Sequence, residues 1–177
     1  MPTGHVMMAI TLDGYVARKD HSLDWLMKQK TADEDHGFAE FLGTIDVIVM
    51  GSGSYRTVLG FEAWPYEKPV VVLSNSLTSE DVPPELAKKV EVMKLSPQAL
   101  IAEMERRGWQ RIYVDGGAIV QSFIKLGLIN DFKLAIVPIL LGDGIRLFGD
   151  LPSDVDLELT HTKAYPSGLV ELRYKVA

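Results

Sequence analysis

Two glycine-rich turns, each placed directly after an apolar run, limit what this chain can fold into. Residues 45–50 lead into Gly51–Tyr55, and residues 111–114 lead into Asp115–Ala118. Each apolar run predicts a buried strand, and the residues after each turn have the pattern of a short helix. A strand-to-helix turn leaves backbone N–H groups free, and glycine lets the backbone approach an anion closely. Two such turns predict a dinucleotide across the sheet, although each one alone also fits an ordinary tight turn.

Short apolar runs and amphipathic stretches alternate along the chain, which is typical of an α/β domain. The continuously apolar runs Ile45–Met50 and Val70–Leu73 predict central strands that are buried on both faces. Leu157–Thr162 and Leu169–Val176 alternate with period two around Pro166–Gly168 and predict an antiparallel pair at one edge of the sheet. Further strands are expected at His5–Thr11, Pro69–Leu73, Val90–Met93, Arg111–Val114 and Leu134–Leu141.

Three capping patterns predict helices between these strands. Thr31–Glu34 resembles a capping box ahead of the apolar residues that begin at Phe38. Ser96 followed by proline predicts the start of a second helix, and Gly108 predicts its end. A third helix is expected from about residue 117 to residue 126. The expected fold is therefore one α/β domain over residues 1–177, with a mixed, mostly parallel central sheet flanked by helices.

Charge and composition exclude several classes of function. The 177 residues carry a formal net charge of −6 and no basic stripe, which argues against nucleic acid as a partner. The absence of cysteine excludes disulfides, zinc–thiolate sites and a thiol nucleophile. The four histidines lack metal-ligand spacing, so no metal is expected. No signal-peptide pattern or apolar run of membrane-spanning length is present, so a cytoplasmic protein with no membrane partner is expected.

Several short motifs follow one another in a recognisable order. They are Thr11–Ala17, Ser22–Leu26, Met50–Tyr55, Leu73–Asn75, Asp115–Gly117, and Pro138–Gly144 with Leu147 and Phe148. Their order and spacing resemble the dihydrofolate reductase superfamily, and within it the reductase domain at the C-terminus of bacterial riboflavin-biosynthesis deaminase-reductases. The resemblance implies NADPH-dependent hydride transfer to a small heterocycle or a ribosylamino-pyrimidine, as in 5-amino-6-(5-phosphoribosylamino)uracil reductase. Two alternatives stay open: reduction of dihydrofolate or another pteridine, and a nucleotide-binding sensor without catalysis.

The resemblance also assigns the cofactor-binding residues. It implies that Ala9, Val16 and Ala17 hold the nicotinamide, and that Gly51, Ser52, Gly53 and Ser54 hold the pyrophosphate and the nearby ribose. Ser74 and Asn75 match the place beside the adenosine ribose, and Gly116, Gly117, Ala118, Ile119 and Val120 match the second dinucleotide turn.

One departure from that pattern leaves the choice between NADPH and NADH open. Typical dihydrofolate reductases have arginine where this chain has Ser52 and Ala118, and a guanidinium group favours the 2′-phosphate of NADPH. Other candidate ligands for that phosphate are Ser74, Asn75 and Arg56.

Reduction of a C=N bond also needs a proton donor, which is either a partly buried carboxyl group or an ordered water. The resemblance to folate-reducing relatives implies an acid early in the helix after the first loop, and the candidates are Asp33, Glu34 and Asp35. Helical spacing places Asp35 and Glu34 on the apolar side and Asp33 on the polar side, and Asp35 is the first catalytic candidate. The alternative is that all three are helix N-terminal acids that only complement the macrodipole. Asp115 is the second catalytic candidate, or else a turn residue. Asp13 and Trp25 are candidate substrate-binding residues, with turn formation and core packing as their respective alternatives.

A homodimer is expected, partly by resemblance to the riboflavin-pathway reductase domains. Residues 169–176 alternate between an apolar face and a charged face, and the apolar face must be covered. In addition, Pro138 in the long apolar run Leu134–Leu141 cannot donate to a strand ladder, which predicts a sheet edge or a bulge there.

Overall fold

The computed structural model describes residues 1–177 and has ten strands and five short α-helices. The strands are β1 (Thr3–Thr11), β2 (Tyr15–Ala17), β3 (Val47–Gly51), β4 (Val70–Leu73), β5 (Val90–Met93), β6 (Arg111–Asp115), β7 (Ile129–Val137), β8 (Ile145–Arg146), β9 (Leu157–Ala164) and β10 (Val170–Val176). The helices are α1 (Asp24–Met27), α2 (Phe38–Gly43), α3 (Ser52–Leu59), α4 (Pro97–Arg106) and α5 (Gly117–Lys125). Two single 3-10 turns, Ser79–Asp81 and Pro84–Leu86, lie between β4 and β5.

Eight of the strands form one sheet in the order β5-β4-β3-β6-β1-β7-β10-β9. The first six are parallel to their neighbours, whereas β10 is antiparallel to both β7 and β9. The predicted mixed, mostly parallel sheet with an antiparallel C-terminal edge is thus confirmed. As expected, residues 47–50 of β3 and 70–72 of β4 are buried on both faces of the sheet.

The two faces of the sheet are covered to different extents. On one face, α4 and α5 bury a core that includes Leu100, Met104 and Phe123. On the other face, α3 packs beside Tyr66 over β3 and β4, and Trp25 of α1 packs on Val137 and Leu169. Between these two patches the second face carries a deep cleft, which opens at the carboxyl ends of the central strands.

Two predicted helices begin where the sequence places them. The Ser96 hydroxyl accepts a hydrogen bond from the Ala99 N–H (3.2 Å), with Pro97 at the first position of α4. Helix α5 begins at Gly117 directly after the second glycine turn. None of the helices has both the length and the apolar character needed to cross a bilayer.

The predicted capping box at Thr31–Glu34 is wrong. Helix α2 begins only at Phe38, and its N-cap is Gly37, which has a left-handed backbone (φ 75°). The Glu34 carboxylate does not cap its own segment but accepts hydrogen bonds from the Ser167 N–H (2.9 Å) and hydroxyl (2.6 Å). A long-range contact with the turn before β10 therefore replaces the local cap.

The predicted strand Leu134–Leu141 is shifted, and the edge predicted from Pro138 is wrong. Strand β7 spans residues 129–137 and lies inside the sheet, between β1 and β10. It ends just before Pro138, because proline has no N–H to continue the ladder. The chain then leaves the sheet, and the Ile139 carbonyl accepts a hydrogen bond from the Leu12 N–H (3.0 Å). The sheet edge on this side is β9, all of whose residues are exposed.

Candidate functional site

The cleft has a volume of about 1020 Å³ and crosses several strands of the sheet. The two glycine turns form one end of it. The floor continues over β1 and β7 to β10, and the walls come from α1, α2 and the segment between them. Such a concave, largely apolar cavity with a few polar groups is the usual form of a small-molecule site.

The two glycine turns lie side by side in this cleft. Strands β3 and β6 are adjacent and parallel, and Met50 pairs with Asp115 in their register. Helices α3 and α5 therefore begin next to each other. Neither N-cap, Gly51 or Gly116, supplies a side-chain hydrogen bond, and neither first turn contains an acidic residue. Their first-turn N–H groups are available to an anion, and both helix dipoles favour negative charge at this point.

At three of the glycines in these turns, close contacts leave no room for a side chain. A Cβ at Gly116, where φ is 107°, would lie 2.5 Å from the Ser54 hydroxyl, so glycine lets the two turns approach each other. A Cβ at Gly53 would overlap the imidazole ring of His21. A Cβ at Gly117 would lie 2.5 Å from the Arg146 carbonyl of β8, so packing accounts for this glycine without any ligand.

Most of the cofactor-binding residues that the sequence predicts are brought together here. Val120 is the exception, because it is fully buried in the core beneath α5. Ser74 is in the cleft, but its hydroxyl already accepts hydrogen bonds from the N–H groups of Ser76 (3.2 Å) and Leu77 (3.0 Å). The predicted cofactor-binding residues that line the cleft are Ala9, Val16, Ala17, Gly51, Ser52, Gly53, Ser54, Ser74, Asn75, Gly116, Gly117, Ala118 and Ile119.

Two basic side chains accompany these residues. Arg56 of α3 lines the cleft, is exposed, and its guanidinium group makes no hydrogen bond or ion pair within the chain. His21 also lines the cleft, and its backbone carbonyl accepts a hydrogen bond from Thr57 (3.4 Å). The end of the cleft near α3 thus carries positive charge close to the free N–H groups.

Asp115 lies in the cleft at the end of β6, directly before the second turn. Burial raises the pKa of Asp115 to about 6, because desolvation outweighs the opposing effects of the nearby Tyr113 hydroxyl and Gly116 N–H. A carboxyl group with such a pKa exchanges its proton near neutral pH, which suits proton transfer to a bound molecule.

The other three predicted site residues lie outside the cleft lining. Asp35 precedes α2, so the helical spacing that favoured it does not exist; it is exposed, and its carboxylate accepts a hydrogen bond from the Gly37 N–H (2.8 Å). Trp25 is fully buried against Val137 and Leu169, which agrees with the packing alternative.

Asp13 joins two loops instead of facing the cleft. Its carboxylate accepts hydrogen bonds from the Thr11 hydroxyl (2.5 Å) and from the N–H groups of Leu141 and Gly142. The bond from Thr11 is the main reason that the pKa of Asp13 falls below its ordinary value. This agrees with the alternative of a turn residue.

The far end of the cleft was not predicted from the sequence; it is formed by Met7, Phe38, Tyr113, Lys133 and Glu171. Here the glutamate is almost fully buried, and its carboxylate accepts hydrogen bonds from the side chains of Arg173 (2.6 Å) and Tyr165 (3.0 Å). Burial opposes ionisation of Glu171, but those bonds and the nearby Lys133 charge lower its pKa below the ordinary value. In the sequence these charges look like the solvent face of alternating strands.

Comparisons with known proteins agree on one family. A family model for the RibD C-terminal domain matches residues 2–171. The uncharacterized protein YwjB of Bacillus subtilis (strain 168) is 30% identical over 170 residues, which cover 94% of each chain. A crystal structure from Shewanella sp. PV-4, provisionally assigned to riboflavin biosynthesis, has 36% identity, a TM-score of 0.92 and 99% coverage of both chains.

A more distant structure extends the likeness in fold. The diaminohydroxyphosphoribosylaminopyrimidine deaminase/5-amino-6-(5-phosphoribosylamino)uracil reductase of Thermotoga maritima aligns with a TM-score of 0.70 and 15% identity, over 99% of this chain and 57% of that one. At this identity the comparison concerns the fold alone. The dihydrofolate reductase-like fold expected from the sequence is confirmed.

Titration of individual carboxyl groups by carbon-13 NMR tests the electrostatics of the cleft. We expect Asp115 to titrate at about pH 6 because it is desolvated, whereas Asp13 titrates below its ordinary pKa because of its hydrogen bonds. The Asp115→Asn variant identifies the first resonance by removing it. An Asp115 carboxyl that titrates at the ordinary value of about 4 would contradict this description.

Proposed function

Because the chain belongs to the RibD C-terminal domain family, we propose that it is a reductase that transfers hydride from NADPH or NADH to a small heterocycle. The observation that carries the proposal is the pair of helix N-termini that meet in the cleft, without side-chain caps or acidic residues in their first turns. A dinucleotide presents a pyrophosphate with two negative charges, which such a pair of N-termini can bind at once.

The lining residues fit such a cofactor along its length. The first-turn N–H groups of α3 and α5 bind the pyrophosphate, and the small residues Ala9, Val16 and Ala17 leave a flat apolar place for the nicotinamide ring. Asn75, Leu95 and Pro97 line the opposite side of the turns, where the adenosine would lie. When bound, the reduced cofactor supplies the hydride.

Asp115 is the proton donor in this proposal. The hydride adds to the carbon of a C=N bond, the π electrons move to the nitrogen, and the proton from the Asp115 carboxyl completes the new N–H bond. Solvent then returns the proton to the carboxylate. Glu171 is unsuited to this role, because its lowered pKa keeps it ionised at neutral pH. In many active sites, two carboxyl groups have pKa values shifted in opposite directions, so that one donates a proton while the other stays ionised.

A screen for substrate-dependent cofactor oxidation tests the activity. Its members are ribosylamino- and ribitylamino-pyrimidines, dihydrofolate and other pteridines. We expect turnover with at least one member, with a kcat that falls as the pH rises above about 6, because only protonated Asp115 donates. Asp115→Asn should lower kcat by about 10²- to 10⁴-fold.

The controls for that screen are two acids outside the cleft. Asp33→Asn removes an exposed carboxylate and should leave kcat unchanged. Asp35→Asn tests the other catalytic candidate. Loss of activity in Asp35→Asn with retention in Asp115→Asn would reverse the assignment of the proton donor. Cofactor binding without oxidation by any member would favour the sensor alternative.

Arg56 sets the preference for NADPH in this proposal, since Ser52 and Ala118 cannot supply a guanidinium group. We expect weak discrimination, because Arg56 is exposed and one exposed charged contact contributes about 1 kcal/mol, or about fivefold in Kd. Arg56→Gln should raise the Kd of NADPH by that factor and leave the Kd of NADH unchanged, as measured by fluorescence titration. Lys125→Gln, which changes an exposed charge on α5 outside the cleft, is the matched control. An equal loss for both cofactors in Arg56→Gln would contradict this role.

We further propose a homodimer that covers the edge of the sheet. Leu157 and Leu159 of β9 are 42% and 52% exposed, and they pair with Val176 and Tyr174, so the four side chains share one face. Light scattering at micromolar concentration should give twice the 19.6 kDa chain mass. Leu159→Glu should give the monomer, and Glu158→Gln on the opposite face should leave the dimer intact. A monomeric wild-type protein would refute the proposal.

A further inference from the structure

We propose that Lys133 is a specificity-determining residue, whose ammonium group binds an oxygen acceptor on the molecule that this cleft reduces. The inference rests on the proposed reductase function and names the chemistry of its substrate. The acceptor is a ring carbonyl or a carboxylate, which share the negative oxygen that an ammonium group binds.

The strand register places Lys133 on the floor of the cleft. It lies in the middle of β7, paired with Met7 of β1 on one side and with Arg173 of β10 on the other. Its side chain is only 13% exposed and lines the cleft. At Gly37 a Cβ would lie 2.5 Å from Lys133 Nζ, so glycine at this position leaves room for the ammonium group.

The ammonium group lacks sufficient partners within the chain. Its one ion pair is with Glu171 Oε1 at 3.5 Å, and it makes no hydrogen bond. That carboxylate is already bound more closely by Arg173 and Tyr165. The single negative charge of Glu171 is therefore shared between Arg173 and Lys133, and N–H donors of the ammonium remain unused. Because Lys133 lines the cleft, an oxygen acceptor on a bound ligand can take these unused donors.

Lys133 and Asp115 lie on opposite sides of an apolar floor. Strand β1 separates β6 from β7, so the two backbones are about 10 Å apart across two strand spacings. Between them the floor consists of Met7 and Ala9 of β1, and Ala135 continues it along β7. A planar ring fits this arrangement when it has the reducible C=N bond toward Asp115 and the oxygen toward Lys133.

The number of cations at the far end limits the charge of that oxygen group. Lys133 is the only lysine or arginine that lines it, and with Glu171 and Arg173 it forms a cluster with a net charge of +1. The nearby His36 is engaged, since its ring stacks on Tyr165 and bonds Glu34. A net charge of +1 suits a carbonyl or a single carboxylate better than a doubly charged phosphate.

The test compares three small probes on the protein saturated with NADP⁺: uracil, benzoate and pyrimidine. Uracil offers a ring carbonyl, benzoate offers a carboxylate, and pyrimidine offers a ring without oxygen. Binding is followed by NMR titration. In Lys133→Met the affinity for uracil, benzoate or both should fall about ten- to hundredfold, because a charge-assisted hydrogen bond is lost, while the affinity for pyrimidine stays the same. The probe that loses more identifies the oxygen group.

Three further variants keep the result interpretable. Lys133→Gln repeats the change with a neutral donor if the methionine variant folds poorly, and Lys133→Arg should restore binding. Lys125→Met on α5 is the control for loss of a lysine charge. The affinity of each variant for NADP⁺ shows whether the end of the cleft formed by the two glycine turns is still intact.

The outcomes separate this inference from the proposed function. Wild-type protein that binds neither NADP⁺ nor NAD⁺ would contradict the reductase proposal itself, and a protein that binds only NAD⁺ is tested with NAD⁺ in place of NADP⁺. With NADP⁺ bound, three results would overturn the role of Lys133 alone: equal losses for all three probes, no loss for any of them, or no binding of either oxygen-bearing probe to the wild type.

Discussion

The parallel pairing of β3 with β6 is the constraint on which the rest of this site depends. Because Met50 lies opposite Asp115, both strands end at the same level, and the helices that follow them begin side by side. Glycines at the ends of the strands allow this, since a Cβ at Gly116 would come within 2.5 Å of Ser54. The same register places Asp115 directly beside the two helix N-termini. The pairing of these two strands therefore determines both the position of the helix N-termini and the position of the Asp115 carboxyl group beside them.

The environment of each carboxyl group then determines what it can do. Asp115 and Glu171 both line the cleft and both are desolvated. Glu171 receives close hydrogen bonds from Arg173 and Tyr165, which lower its pKa, whereas burial dominates at Asp115 and raises its pKa to about 6. In the proposed mechanism one acid exchanges protons and the other remains a fixed negative charge beside Lys133.

Local sequence patterns predicted the parts of the fold whose causes are local. The glycine turns, the doubly buried strands, the Ser96 cap and the C-terminal hairpin all follow from residues close together in the sequence. The predictions were wrong where contacts between residues distant in the sequence replace local ones. Glu34 bonds Ser167 across the fold in place of capping a helix, so the helical argument for Asp35 failed.

The pairing of Lys133 with Met7 was not foreseen for the same reason, because it depends on a strand register between distant segments. Charged residues that alternate along an isolated strand indicate a solvent face, and only the assembled sheet reveals that this face forms the floor of a cleft.

The most direct test of the account is a crystal structure of the protein in complex with NADP⁺. The account predicts the pyrophosphate between the first turns of α3 and α5, within hydrogen-bond distance of N–H groups in residues 52–54 and 117–119, with the nicotinamide over Ala9. A pyrophosphate bound elsewhere, or a nicotinamide that lies outside the cleft, would contradict it.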